Sequence, residues 1–166
     1  MEASEAGPEA GLIAFVEHEV YSDESLKAAF EISAADIKYV NQVAGSQKAV
    51  NYGEVLPLSW LRVLDAVNPS PHDVFYDLGS GRGVLTVLTH LHCGLRKSVG
   101  VELSRERHAM AERALLKLQT SPRKDSAPGI SFVCGDIRTC DLSDATFVFL
   151  MNQCVSPPHS QAREHI

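Results

Sequence analysis

Residues 74–83, VFYDLGSGRG, set three glycines at alternate positions behind four strand-type residues, with Asp77 two places before the first glycine. A glycine turn between a strand and a helix lets backbone come close to a ligand, and the N–H groups of the helix start point at whatever binds there. Spacing excludes two phosphate chemistries. No Gly-Lys-Ser/Thr follows, so this is not a triphosphate-binding P-loop. Gly79 and Gly81 fit the first two positions of G-x-G-x-x-G, but the next glycine is Gly83, and Val84 stands where the dinucleotide fingerprint requires glycine. A carboxylate at Asp77 would repel a pyrophosphate and attract a cation. Glu102, 25 residues on and at the end of the strand-like GVEL, is placed to accept hydrogen bonds from two ribose hydroxyls. Asp136 in CGD is a third acid at the carboxyl edge of the expected sheet, where open α/β sheets bind ligands. Three carboxylates, a glycine loop and no phosphate-binding lysine suit an adenosine that carries an amino acid and a positive sulfonium, which describes S-adenosylmethionine. The plainer alternative is a structural turn flanked by solvated acids. The strand before the loop, the helix after it and the acid at the second strand end favour the cofactor.

The elements that must hold these residues alternate along the chain. DVFYDLG, KSVGVEL, ISFVCGD and ATFVFLMN read as strands, with helices in GVLTVLTHLHCG and in SRERHAMAERALLKLQT, the latter capped by Ser104. This alternation predicts parallel β-α-β units and a doubly wound α/β sheet. Upstream, residues 1–10 are small and acidic and are expected to form a disordered tail, and residues 11–50 an N-terminal helical segment with caps at Ser22 and Ser33 and a stop near Gly45. Residues 51–166 then form the ligand-binding domain, opened by an amphipathic helix with Leu58, Leu61, Val63, Leu64 and Val67 mostly on one side. A doubly wound sheet usually continues past its fourth strand, so the sequence is expected to lack the C-terminal strands of such a fold.

The 166 residues, 45% of them hydrophobic and 22% charged, fit one globular domain. A net charge of −6 argues against strong direct nucleic-acid binding, which needs an excess of lysine and arginine. No apolar run approaches the roughly 20 residues of a membrane helix, and the acidic start lacks the basic region of a signal peptide. A soluble, intracellular protein without membrane partners is the expectation. Cys93, Cys134, Cys140 and Cys154 form no C-x-x-C pair, so no metal site is expected and the thiols read as buried. His90 and His92, two apart, read as surface or boundary residues.

DLGSGRG with GVE downstream resembles the class I methyltransferases, whose sheet is Rossmann-like. The order of YGE, DLGSG, GVE, GD and FLMNQCVSP over roughly residues 50–158 is similar to that of the disruptor-of-telomeric-silencing histone H3 lysine methyltransferases. The resemblance implies an S-adenosylmethionine-dependent protein lysine N-methyltransferase of histone type acting in the nucleus, with the cytoplasm as the alternative location. Its partner would be a protein substrate, possibly histone H3 in nucleosomes, with a possible second subunit completing the fold. Tyr52, Gly53 and Glu54 match the loop that folds over the cofactor, with Val55 where the family carries threonine. Phe75, Asp77, Leu78, Gly79, Ser80, Gly81 and Gly83 match the strand and loop around the methionine portion. Glu102 matches the ribose-binding acid, and Asp136 with Ile137 the pair beside the adenine. Asn152 matches the asparagine near the methyl group and the incoming amine, so Asn152 and Tyr52 are the expected catalytic residues. Met151, Gln153 and Val155 depart from the family on the substrate side, where aromatic residues line the lysine channel. Two alternatives therefore stand beside the histone reading: a catalytically silent S-adenosylmethionine-binding module that acts through partners, and a small-molecule methyltransferase.

Overall fold

Val74, Phe75 and Tyr76 are the β-branched and aromatic residues that suit a pleated surface, and they open strand β1 (Val74–Leu78), every residue of which is buried. The computed structural model describes residues 7–151. Three further strands, β2 (Lys97–Glu102), β3 (Ile130–Cys134) and β4 (Phe147–Leu150), complete a parallel sheet in the order β3-β2-β1-β4. This is the order in which a doubly wound Rossmann-like sheet begins, with its switch point beside β1. Leu78 at the end of β1 is level with Val101 of β2 and Leu150 of β4, so three strands deliver their carboxyl ends to one edge.

Helices α1 (Pro8–Ala14), α2 (Asp23–Phe30) and α3 (Ala34–Ala44) precede the sheet. Helix α1 starts inside the span expected to be a disordered tail, because Pro8 suits the first helical turn. It runs on through a π-helical stretch, Phe15–Val20, and Leu12, Val16 and Val20, four residues apart, all enter the core. Ser22 and Ser25 form a capping box on α2, and Ser33 caps α3, which ends at Gly45 in the left-handed conformation. Helices α4 (Pro57–Val67), α5 (Val84–Cys93) and α6 (Arg105–Thr120) follow, and Ser104 caps α6 as its sequence predicts.

The inner face of α4 differs from the expected stripe. Trp60, Leu61 and Leu64 are buried, whereas Leu58, Val63 and Val67 are exposed. Trp60 sets this rotation: its Nε1–H donates to Thr89 Oγ1 at 2.7 Å, and its ring lies 6.1 Å from that of Phe75 and 4.6 Å from that of Phe149. A buried tryptophan needs a partner for its N–H, so the helix turns to supply one. His90 is also buried rather than at the surface, because α5 is covered from Val84 to His90. Its ring nitrogens meet Ser98 Oγ at 3.0 Å and the Pro128 carbonyl at 3.1 Å. Cys134 is exposed and Cys93 and Cys140 only half-buried, against the expectation of buried thiols. Cys154 lies outside the described residues.

One face of the sheet packs against α1, α4, α5 and α6 around Phe75, Leu88 and Leu118. The other face, with Val74, Tyr76, Leu78, Val99 and Val101, is covered by Ile137, Cys140, Leu142 and Ala145 from the irregular segment between β3 and β4.

Candidate functional site

At the carboxyl edge of the sheet lies a cavity of about 510 Å³, within the range of small-molecule sites. Tyr52, Gly53, Glu54, Val55, Asp77, Leu78, Gly79, Ser80, Gly81, Glu102, Asp136 and Ile137 all line it, so most of the residues singled out by sequence converge there. Phe75 does not. It is fully buried between Trp60 and Phe147 and belongs to the core: side chains two apart share a face of the strand, so Phe75 points the same way as Asp77 but lies one repeat further from the carboxyl edge. Gly83 lies behind the cavity: a Cβ there would come within 2.5 Å of the Phe132 ring, so this glycine serves the packing of α5 against β3. Asn152, Gln153 and Val155 lie outside the described residues.

The glycine loop is tied down by its backbone. Gly79 and Ser80 donate N–H bonds to the Val101 carbonyl at 2.8 and 3.0 Å, and Gly81 donates to Glu102 Oε2 at 2.8 Å. Glu102 Oε1 accepts the N–H of Ser104 at 2.8 Å. One carboxylate thus joins the loop to the start of α6, and with room for about four bonds in all it keeps lone pairs for two hydroxyls of a ligand. Burial pushes its pKa up, against the opposing pull of the Ser104, Gly81 and Leu103 N–H groups and of the Arg107 charge.

Asp77 is 3% exposed and accepts one side-chain hydrogen bond, from Thr86 Oγ1 at 3.1 Å. Among the described residues no cation pairs with it. Burial therefore pushes its pKa up to about 7, with the nearby Glu102 charge adding to the rise. A buried acid of this kind beside an open cavity fits a ligand that brings positive charge. Gly79, with φ of +88° and free space where a Cβ would stand, exposes the backbone such a ligand needs. Asp136 is different: Arg138 Nε binds both its oxygens, at 2.9 and 3.0 Å, and holds its pKa down.

Sequence reasoning missed three side chains. Arg107, on the first turn of α6, lines the cavity and donates to the Ala29 carbonyl at 2.9 Å and the Val50 carbonyl at 2.8 Å, with its guanidinium 4.5 Å from the Tyr52 ring. Asp36 of α3 accepts the hydroxyl of Ser104 and the N–H of Arg105, which seats the N-terminal segment on the helix that Glu102 also anchors. Arg82 occupies the variable position between Gly81 and Gly83 and pairs with Glu54. No spacing signal marks them, because each acts on a partner distant in sequence.

Strand order, the glycine loop after β1 and the buried acids at the ends of β1 and β2 define a Rossmann-like protein of the class I methyltransferase type. The family described as histone methylation protein DOT1 matches residues 30–123, more than half of the chain. The chain belongs to that family. It is similar to two curated relatives, each named as a histone-lysine N-methyltransferase specific for H3 lysine-79: 41% identical over 76 residues to that of Caenorhabditis elegans, and 41% over 61 residues to that of Debaryomyces hansenii. The matched segments are 46% and 37% of this chain but only 8% and 5% of those proteins. Among solved structures, the chain is similar to an RNA methyltransferase from Salinibacter ruber in complex with S-adenosyl-L-homocysteine, with 26% identity, a match that covers 58% of each chain and a TM-score of 0.48.

Proposed function

We propose that the cavity binds S-adenosylmethionine and that the chain is the donor-binding part of a protein lysine N-methyltransferase of histone type, acting in the nucleus. The observation that carries the reading is the pair of buried acids around the glycine loop, Asp77 without a cationic partner among the described residues and Glu102 fixed by two backbone N–H groups. The match to a histone methylation family supports the acceptor class.

When bound, S-adenosylmethionine supplies a methyl group on a cationic sulfur, and its transfer to an amine is a direct displacement. Asp77 offers negative charge to the cationic end of the donor, and Glu102 accepts from its ribose. Leu103 and Ile137 give apolar walls for a flat base, and Tyr52 closes the cavity over the loop. Phe149, Leu150 and Met151 line the side toward β4 with apolar groups. Such a wall disfavours an ammonium and so favours the neutral amine that can attack. Asn152, next along the chain, would accept a hydrogen bond from that amine and aim its lone pair. The remaining work is positioning and exclusion of water, which this reaction needs more than a covalent or basic group.

Calorimetry of the full chain with S-adenosylmethionine, followed by radiolabelled methyl transfer to nucleosomes, free histones and cell extract, tests the reading. Donor binding with label on histone H3 is the expected result. Absence of donor binding would overturn the cofactor assignment. Binding without label on any acceptor would replace the enzyme by a silent module, and label on small molecules alone would overturn the histone class.

A further inference from the structure

We infer that Arg82 and Glu54 form a positioning pair that holds Tyr52 over the glycine loop, and that Glu54 acts on the donor site through Arg82 rather than by touching the donor. This rests on the reading that the cavity takes S-adenosylmethionine. The YGE triplet by itself suggests that Glu54 is a cofactor ligand, and its side chain does line the cavity. Yet three of the roughly four acceptor positions of its carboxylate are already taken, two by Arg82 and one by the Tyr52 hydroxyl. Arg82 Nε donates to Oε1 at 2.6 Å and Nη2 to Oε2 at 2.9 Å, a bidentate pair made by an arginine that is 6% exposed.

The remaining contacts of Arg82 fix it further. Its Nη1 donates to Ser25 Oγ of α2 at 2.8 Å, and its guanidinium lies 5.0 Å from the Tyr21 ring. Glu54 Oε1 also accepts the hydroxyl of Tyr52. The Tyr52 ring in turn presses on the glycine loop, where a Cβ on Gly81 would come within 2.5 Å of it. Phe30 stands edge-on to that ring at 5.0 Å. The contacts close a circuit from the glycine loop through Arg82, Glu54 and Tyr52 back to Gly81, and N-terminal residues brace it at Ser25 and Phe30.

Charge separates the roles of the two acids. A cationic group that approached Glu54 would meet the Arg82 charge at the same place, and bidentate charge-assisted bonds are among the stronger ones a carboxylate makes. Asp77 carries no such neutralising partner among the described residues. The uncompensated attraction for a cationic donor therefore sits at Asp77, and the Glu54 charge is spent on holding its loop.

A double-mutant cycle distinguishes positioning from direct contact. Arg82→Met, Glu54→Gln and the double variant are titrated with S-adenosylhomocysteine in the full chain, and amide hydrogen exchange of residues 52–55 is followed without ligand. Each single change is expected to weaken binding about tenfold, within the coupling range of contacting residues, with the double variant no weaker than either. Exchange at residues 52–55 should rise equally in all three. Arg82→Lys, which keeps the charge but not the fork, should recover part of both properties, and it carries the cycle if Arg82→Met fails to fold. Additive losses, with Glu54→Gln weakening binding further in the Arg82 background, would overturn the inference, as would unchanged exchange at residues 52–55. If the unaltered chain binds no S-adenosylhomocysteine, the cofactor reading fails, and the exchange measurements alone decide whether the pair holds the loop.

Discussion

The two central strands and the outer strand β3 each carry an acid at or just past their carboxyl ends, but in different surroundings. All of β1 and nearly all of β2 are buried, whereas β3 is buried at Ile130 alone and β4 alternates between half-buried and exposed positions. Asp77 and Glu102, on the central strands, sit in a dry setting and hold their protons more tightly than free carboxyls. Asp136, after the outer strand β3, is partly open to water and is satisfied by Arg138 two residues on. Asp77 is left without a cationic partner among the described residues and Glu102 is held by backbone N–H groups, whereas Asp136 already has an arginine. Burial against helices on one face and the segment between β3 and β4 on the other makes this difference, since desolvation raises the cost of an unpaired charge. The side of the cavity at β1 and β2 thus carries acids, and the side toward β4 is apolar at Phe149, Leu150 and Met151.

Removing the acid that ties the glycine loop to α6 should show the contrast most strongly. Glu102→Ala takes away the proposed ribose acceptor and leaves the N–H groups of Gly81 and Ser104 without theirs, at about 1–3 kcal/mol each. Calorimetry should find no measurable donor binding, and the urea midpoint should fall. Binding within about tenfold of the unaltered chain would mean that the central acids matter no more than Asp136.

A smaller effect with a definite sign comes from Asp77. Its pKa of about 7 in the folded chain, against an ordinary value of 3.8, means that it is protonated below neutrality and charged above. Affinity for a cationic donor should therefore rise as the pH is raised through about 7, with proton release on binding below that value. Without ligand the sign reverses. The stability contributed by this raised pKa is fully present below about pH 4 and is lost as the pH rises through about 7. Titrations and melts from acid to alkaline pH check both, and Asp77→Asn should flatten the two curves. A donor affinity indifferent to pH in this window would remove Asp77 from the site.

The smallest change is expected at the outer strand. Arg138 is exposed, and ion pairs of that kind contribute little. Arg138→Ala should alter donor affinity by no more than a few-fold in the same calorimetric assay. A loss rivalling that of Glu102→Ala would erase the distinction between the central and outer strand ends.

Local chemistry explains what could be read in advance. The strand, glycine loop and helix at residues 74–93, the serine caps at Ser22, Ser33 and Ser104, and the acids at 77, 102 and 136 each depend on neighbours within a few positions, so their spacing carries the information. Phe75 shows the limit of that reading. It stands two residues from Asp77 and on the same face of the strand, yet it lies further from the carboxyl edge and packs into the core against Trp60 and Phe147 of other elements. The rotation of α4 was hidden for the same reason: Trp60 turns inward to reach a threonine 29 residues away.

What the sequence determined by itself is the kind of site: a glycine loop with strand-end acids that suits a cationic adenosine ligand and excludes a pyrophosphate. Tertiary structure decided which acids are free to meet that ligand. Glu54 is paired with Arg82 across 28 positions, Arg107 reaches Val50 across 57, and Asp36 seats Ser104 across 68. Charge-assisted bonds over such separations depend on the path of the whole chain, and no local pattern encodes them. Asp77 is left without a cationic partner among the described residues for the same reason, because the arginines near the site are held by other groups.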